Sequence, residues 1–310
     1  MRALLAAFSR ALEAALVLLL LASLVFFALR LLPGDPARLV LGDQASPAEL
    51  AAVRARLHTD EPLATQYARF LVGLGTLDLG DSLRRPGVPA VHRVTSALGP
   101  TAALAGLGVA LGSAAGIALA ALAFGPWLGA RRRWVERGLV AMAAVPLLAF
   151  APVLTLALAV KARVVPLPGD PEAGALGLLF ASALLAVPLA AHVGRTGSAS
   201  LADLGRGQFL IVAAAKGATP LRVVFLHALP AASGPILAVI ATQLGALLGG
   251  AVVLERLFER WGLGTLILEA YASRDLPVLE GAVVAAGALF VASQAIAAAL
   301  QAAIDPRVRA

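Results

Sequence analysis

Residues 94–130 read VTSALGPTAALAGLGVALGSAAGIALAALAFGPWLGA and contain no Asp, Glu, Lys or Arg. A helix needs about 20 mostly apolar residues to cross roughly 30 Å of hydrocarbon, so we expect one membrane-spanning helix here, beginning near Pro100. The whole chain is similar in character, with 60% hydrophobic residues, 14% charged residues and a mean hydropathy of +0.89. Because a soluble domain carries about a quarter charged residues, the composition indicates a membrane protein.

Five further charge-free stretches are long enough to cross a membrane. They are Ala14–Leu29, Gly138–Val160, Ala173–Gly194, Val223–Leu254, whose helix we expect to start after Pro230, and Gly281–Ile304. Helices satisfy their own backbone hydrogen bonds in lipid, and the alternating ten-residue strands of a membrane barrel are absent from the sequence. The sequence therefore predicts an all-α polytopic membrane protein with six transmembrane helices. Prolines inside the spans, at 146, 152 and 188, are expected to kink them.

Glycines recur at four-residue intervals in two of the spans. Gly108, Gly112 and Gly116 lie in the second span, and Gly245 and Gly249 lie in the fifth. This spacing places small residues on one face of a helix and permits close helix–helix approach. We expect these glycines to serve packing.

The basic residues are concentrated on one predicted side of the membrane. With six spans both termini share a side, which carries twelve basic and four acidic residues and hence a net charge of +8, against −1 on the other side. Basic residues mark the cytoplasmic side, so both termini are predicted to be cytoplasmic, and the net charge of +7 needs no nucleic acid. Arg131–Arg133 and Arg137 are interpreted as a topology anchor beside lipid headgroups. A cleaved signal peptide is disfavoured because the positions that require small residues are occupied by Phe26, Phe27, Leu29 and Arg30.

Two loops are long. In the first outer loop, about Leu31 to Arg93, Ser46–Leu57 predicts a short helix that Ser46 caps, with Glu49 completing a capping box. The inner loop Gly194–Arg222 is amphipathic, which favours packing against something on the cytoplasmic side. Charged residues on the outer side are expected to pair with one another on a solvated surface. They are Glu255, Glu259, Glu269, Asp275, Arg256, Arg260 and Arg274.

Several functional classes lack their sequence signatures. No cysteine, phosphate-binding loop or H-E-x-x-H motif occurs, and the four histidines are dispersed. The span interiors have no ionisable residues of the kind that ion-driven transporters commonly use, although an ion-coupled secondary transporter or channel remains the leading alternative. A membrane-embedded hydrolase would need His192 to meet a serine such as Ser182 or Ser198.

Residues 211–230 read IVAAAKGATPLRVVFLHALP. The segment resembles the cytoplasmic EAA loop of ABC importer permeases, E-A-A-x3-G-x9-I-x-L-P, with Ala213, Gly217, Leu229 and Pro230 in register. The acidic position is Ile211 here, and Ala214 replaces an arginine of the B-type family. Small side chains and a turn at Gly217 suit a knob that fits a cleft on a partner.

Five other segments resemble, in the same order, the B-type permease of dipeptide, oligopeptide and nickel ABC importers. They are LPGDP (32–36), DEPLATQYARFLVGLGTLDLGDS (60–82), GGAVVLERLFERWGLG (249–264), SRDLP (273–277) and DPRVR (305–309). The resemblance covers nearly the whole chain. It departs from the family at Trp261, which begins W-G-L-G where the family has P-G-x-G.

The resemblance implies a type I ABC importer permease that imports peptides, or a related small solute such as nickel, by alternating access. Expected partners are a second homologous permease, two ATP-binding subunits that hold ATP and Mg²⁺, an extracytoplasmic solute-binding protein and membrane lipid, but no nucleic acid. This chain would hold no cofactor or metal and perform no catalysis. The expected division is residues 1–32 (N-terminus and first span), 33–99 (periplasmic loop) and 100–310 (a five-helix core with the coupling loop 194–230).

The resemblance also implies three sets of site residues. The ATPase-coupling loop comprises Ala213, Ala214, Ala215, Lys216, Gly217, Ala218, Thr219, His227, Leu229 and Pro230. Gly34, Asp35 and Pro36 are expected to contact the binding protein. For the outer charges such as Glu255 and Asp275, contact with the binding protein is the alternative to pairing with one another. Gly249, Gly250 and Glu255 are the pathway or gate candidates.

Overall fold

A computed structural model describes residues 2–31, 36–42, 45–205 and 207–304. Its helices are α1 (Arg2–Arg30), α2 (Pro36–Leu41), α3 (Pro47–Leu57), α4 (Leu63–Thr76), α5 (Ala90–Phe124), α6 (Arg132–Ala144), α7 (Leu147–Thr155), α8 (Gly174–Leu204), α9 (Gln208–Ala215), α10 (Pro220–Arg222), α11 (Leu229–Ala231), α12 (Ser233–Leu257), α13 (Leu263–Ser273) and α14 (Leu276–Ile304). Within these ranges the only β pairing is an isolated bridge between Asp81 and Pro89. The all-α prediction is confirmed.

Five helices are long and apolar enough to cross a membrane: α1 from Phe8 onward, α5, α8, α12 and α14. A sixth crossing is formed only if α6 and the α7 segment to Lys161, which bend by 103° at their junction, count as one span. The predicted span over Gly138–Val160 is therefore not one continuous helix, and the kink predicted at Pro146 is confirmed. Pro146 lies before α7 with extended backbone (φ −62°, ψ 141°), and a proline removes a helix hydrogen bond and clashes with the preceding turn. Pro152 and Pro188 lie inside continuous helices.

The chain divides into two compact units. The first unit contains the residues up to Thr101 together with Trp261–Val291, and the second contains Ala102–Arg260 with the residues from Ala292 onward. The predicted segment 100–310 is thus shared between them. Each unit has its own apolar core.

The second unit is built around α8, which packs against α6 and α12. The predicted close approach at Gly108, Gly112 and Gly116 is confirmed. A Cβ added at Gly116 would lie 2.6 Å from the Cβ of Val193 and 2.8 Å from the carbonyl oxygen of Ala190. A Cβ at Gly108 or Gly112 would lie 2.9 Å from the side chain of Leu185 or Leu189 of α8, so the glycines permit α5 to lie directly on α8.

The first unit packs the start of α5, α13 and the start of α14 around residues such as Val94, Leu266 and Val278. A smaller cluster brings Phe26 of α1 against Phe70 of α4. The predicted capping box of α3 is present, since Ser46 accepts from the Glu49 amide and the Glu49 carboxylate accepts from the Ser46 amide. The Ser46 hydroxyl also donates to the Glu49 carboxylate at 2.7 Å, and this bond, together with that from the Ser46 amide, holds the pKa of Glu49 below its ordinary value.

Candidate functional site

An apolar groove of about 500 Å³ opens in the second unit. Its walls are the α6–α7 junction, the middle of α8 and the middle and C-terminal half of α12. The lining includes Pro146, Leu148, Pro188, Gln243, Gly249 and Val253. Among the described lining residues none carries a charge, so the groove presents mainly apolar surface with one side-chain amide.

The break before α7 and two glycines of α12 shape this groove. A Cβ added at Gly249 would meet nothing within 4 Å, whereas one added at Gly250 would lie 2.9 Å from side chains of Leu147 and Leu185. Gly250 therefore packs α12 against its neighbours, and Gly249 leaves the groove open. The close helix approach predicted at Gly249 is not made with any described residue.

Glu255 does not belong to the groove. Its side chain is 1% exposed and is absent from the lining, because it lies on the face of α12 that packs into the unit. The expectation that Glu255 and Asp275 pair on a solvated surface is wrong, since Asp275 is 0% exposed. Glu259 and Glu269 are exposed as expected, and Glu269 pairs with Arg93 and Arg85.

The predicted coupling segment forms a helical hairpin. Helix α9 ends at Ala215, and Gly217 follows with a φ of +83°, a backbone conformation that glycine adopts without steric cost. Thr219 then caps the next turn by accepting a hydrogen bond from the Arg222 amide. Helical structure continues, in part as a π-helical turn over Val223–Ala228, to Ala231 immediately before α12. The predicted turn at Gly217 is confirmed.

This hairpin has two faces. Leu210, Val224 and Ala228 are buried in the core of the second unit. The opposite face exposes large apolar side chains, namely Phe209, Ile211, Val212, Leu221, Phe225 and Leu226. Of the residues predicted to couple, Ala214, Ala215, Lys216, Gly217, Thr219, His227 and Pro230 are exposed, while Ala213, Ala218 and Leu229 are partly buried.

The other predicted sites receive less support. Gly34 and Asp35 lie outside the described residues, and Pro36 is described only as the first residue of α2. For a hydrolase, the hydroxyl groups of Ser182 and Ser198 donate to the carbonyl oxygens of Leu104 and Gly194. Neither serine bonds His192, so no nucleophile–base pair forms. Within the described residues no group of acidic, histidine or cysteine side chains is arranged to hold a metal.

Sequence reasoning missed a buried polar cluster in the first unit. Asp275 accepts hydrogen bonds from the Ser82 hydroxyl and, at 3.0 Å, from the Leu83 amide. Arg93, 5% exposed, places its guanidinium 3.7 Å from Asp275 and 3.0 Å from Glu269. The cluster joins the G-D-S and S-R-D-L-P segments, which sequence comparison alone treats as separate motifs.

A second missed contact is the ion pair of Arg30 and Glu280. Arg30 ends α1, also donates to Gln66 at 3.1 Å, and lies over the ring of Phe26. Glu280 is 5% exposed near the start of α14. Both residues fall just outside the charge-free stretches, where a count of apolar residues ignores them.

Comparisons with known proteins decide the family. Residues 108–310 match the family model of the binding-protein-dependent transport system inner membrane component, and residues 3–82 match the N-terminal model of the same kind of component. The chain belongs to this family. It is a permease of the ABC importer type, a transport subunit and a multi-pass inner membrane protein. The resemblance inferred from the motifs is thereby confirmed.

Relatives match the permease over most of its length. A probable peptide ABC transporter permease protein of Sinorhizobium fredii is 30% identical over 90% of this chain and 91% of its own. A putative peptide transport system permease protein of Brucella abortus is 32% identical, with 90% of each chain covered. A glutathione transport system permease protein of Salmonella paratyphi A is 33% identical, again with 90% of each covered.

Proposed function

We propose that this permease forms half of the pathway of an ATP-driven importer for di- or oligopeptides, or for a related small solute such as nickel. A second homologous permease supplies the other half, two ATPase subunits bind ATP and Mg²⁺, and an external binding protein delivers the substrate. Both termini lie in the cytoplasm. The observation that carries the proposal is the two-faced hairpin of residues 208–231, which turns at Gly217 and leads into a helix of the groove.

The exposed face of the hairpin suits a protein partner. Phe225 and Leu226 are 50% and 62% exposed, and Leu221 is 59% exposed. Contiguous apolar patches on a surface mark interaction sites, because covering them releases hydration water. The small residues around Gly217 permit close approach of the partner.

The buried face of the hairpin suits transmission of movement. Leu210 and Ala228 belong to the same core as Leu185 and Leu247, which also line the groove. Because packed cores shift between discrete arrangements, a displacement of the hairpin by the ATPases is passed to α12. Gly249 and Gly250, which line the groove, are the gate residues in this proposal. Glu255 lies on the buried face of α12 and does not line the groove.

The groove lining favours a peptide over a bare nickel ion. Nickel in proteins takes imidazole, thiolate or carboxylate ligands, and the described lining offers none of them. An apolar surface with one amide can bind peptide side chains of varied kinds with low affinity. The relatives named above are permeases for peptides and for glutathione, which is itself a peptide.

The test is co-purification in mild detergent from membranes that also contain the partner subunits. Leu221→Ser and Leu226→Ser remove the exposed apolar contacts, and Gly217→Val forces a β-branched residue into a left-handed conformation. Leu24→Ser in α1 is the matched control, because Leu24 is an equally exposed leucine (68%) on a span. We expect an ATPase subunit, recognised by its G-x-x-x-x-G-K-[ST] motif, to accompany the wild type and the control but not the three variants.

Transport provides the independent readout. Liposomes containing the co-purified complex should take up a labelled dipeptide only when ATP is inside the liposomes and the binding protein is outside. A permease that purifies alone and transports without ATP would contradict the proposal and support an ion-coupled transporter. Loss of the ATPase from the Leu24→Ser variant as well would show that the hairpin has no special role.

A further inference from the structure

A cavity of about 220 Å³ lies between the start of α6 and the last turns of α8. Arg132, Glu136 and Arg195 form its charged part. The remaining wall is largely apolar and is made by Leu139, Val140, Ala199 and Ala202. A pocket that is charged on one part and apolar on the other matches an amphipathic ligand.

The charged part of the cavity is positive. Arg132 donates from Nε to the Glu136 carboxylate at 2.8 Å, so these two charges satisfy each other. Within the described residues Arg195 has no hydrogen-bond or ion-pair partner, and its side chain is exposed. Ser198 already donates its hydroxyl proton to the Gly194 carbonyl oxygen at 2.7 Å. Arg195 is therefore the group left to bind an anion, with Arg132 beside it.

The cavity lies at the depth of lipid phosphates. The charge-free run 174–194 precedes Arg195 and, at 1.5 Å per residue, spans about 31 Å, which is the thickness of the hydrocarbon layer. Arg195 thus stands at the end of that layer. Trp134 and Trp127, 70% and 44% exposed on the same unit, are side chains that concentrate at the membrane–water interface.

The surrounding charges select against a zwitterionic headgroup. Arg131, Arg133 and Arg137 lie on exposed positions around the start of α6, and the Arg137 guanidinium lies 5.4 Å from the centre of the Trp134 ring. An ammonium or choline group would be repelled here, whereas a headgroup with net negative charge is attracted.

We propose that this cavity binds the phosphate of an anionic phospholipid. The guanidinium of Arg195 makes paired hydrogen bonds to phosphate oxygens, Arg132 adds a second charge, and the glycerol and first acyl carbons lie against Leu139 and Val140. The site holds α6 against α8, where Leu139 already fills the space above Gly194. It does not depend on coupling to an ATPase.

Native mass spectrometry of the purified, delipidated full chain tests the proposal. Phosphatidylglycerol and phosphatidylcholine with the same acyl chains are titrated separately. We expect the wild type to bind phosphatidylglycerol preferentially and Arg195→Gln to bind it on the order of tenfold more weakly, because a charge-assisted hydrogen bond is lost. Arg195→Lys should retain part of the affinity.

Arg222→Gln is the matched control, since it removes the same charge from an exposed arginine of α10 that neither lines the cavity nor belongs to the arginines at the start of α6. Equal weakening in Arg222→Gln and Arg195→Gln, or no preference for phosphatidylglycerol in the wild type, would overturn a specific site. Displacement of the lipid by millimolar inorganic phosphate would assign the site to a free anion and likewise overturn the lipid proposal. Size-exclusion profiles that match the wild type exclude misfolding as the cause of weaker binding.

Discussion

The interior of the first unit and the interior of the second unit are stabilised by different kinds of contact. The first unit places buried charged side chains at the contacts between distant segments, Arg93 with Asp275 and Arg30 with Glu280. In the second unit Gly108, Gly112 and Gly116 make close helix contacts with α8.

The difference reflects what drives association in each setting. In lipid, apolar surface gains little by leaving one apolar environment for another, so close van der Waals packing through small residues is the main source of stability between helices. Segments such as the loop from Gly80 to Val88 are anchored instead by hydrogen bonds to a buried carboxylate. A buried charge is stable only with its partner present, so the first unit should be more sensitive to single substitutions than the second.

The largest effect is expected from Asp275→Ala. The substitution leaves Arg93 buried with one partner fewer and removes the acceptor for Ser82 and Leu83, which should lower the free energy of unfolding by roughly 3–5 kcal/mol. Thermal unfolding of the detergent-solubilised protein measures it. Asp81→Ala, at an exposed position of the same loop, should change stability by less than about 0.5 kcal/mol. Similar losses in both variants would show that the buried cluster is unimportant.

A double-mutant cycle on Arg30 and Glu280 sharpens the comparison. Arg30→Met leaves the Glu280 carboxylate, whose side chain is 7% exposed, without its counter-charge and should cost about 3 kcal/mol. Arg30→Met combined with Glu280→Met replaces the pair by apolar groups and should recover most of that loss. Additive losses in the double variant would mean that the two charges act independently.

Glycine packing in the second unit should respond less strongly. Gly116→Ala places a Cβ 2.6 Å from Val193, which forces α5 and α8 apart at a cost of about 1–3 kcal/mol. Gly106→Ala on the same helix meets nothing within 4 Å and should be neutral or stabilising, by up to about 1 kcal/mol from helix propensity. Their thermal midpoints are compared directly, and a fall for both variants would assign the effect to the glycine backbone rather than to packing.

The smallest effect concerns the cap of α3. Because hydrogen bonds from Ser46 depress the pKa of Glu49, the capping contribution is complete above the ordinary carboxyl pKa of 4.5 and is lost as the pH falls below it. Hydrogen exchange of the α3 amides should therefore differ between the wild type and Glu49→Ala at pH 6 and converge towards pH 3. A difference that is independent of pH would show that the carboxylate charge does not stabilise the cap.

Much of the fold was predictable because its signals are local. Charge-free stretches located the spans, the spacing of Gly108, Gly112 and Gly116 indicated a packed face, and Ser46 with Glu49 indicated a helix start. Residues 211–230 carried enough of a motif to predict the hairpin turn at Gly217. The distribution of exposure along that hairpin, with Leu210 buried beside exposed Phe209 and Ile211, was not predictable, because nearly all of its residues are apolar.

By itself the sequence determined the membrane character, the all-α class and the family, since each depends on the identity and order of neighbouring residues. Only the tertiary structure decided which charges are buried, that the bend predicted at Pro146 reaches 103°, and that Gly249 rather than Glu255 borders the groove. Arg30 and Glu280 are separated by 250 residues, and Ser82 and Asp275 by 193. Such contacts carry no local pattern, because the free energy that favours each buried charge exists only when folding brings its partner into place.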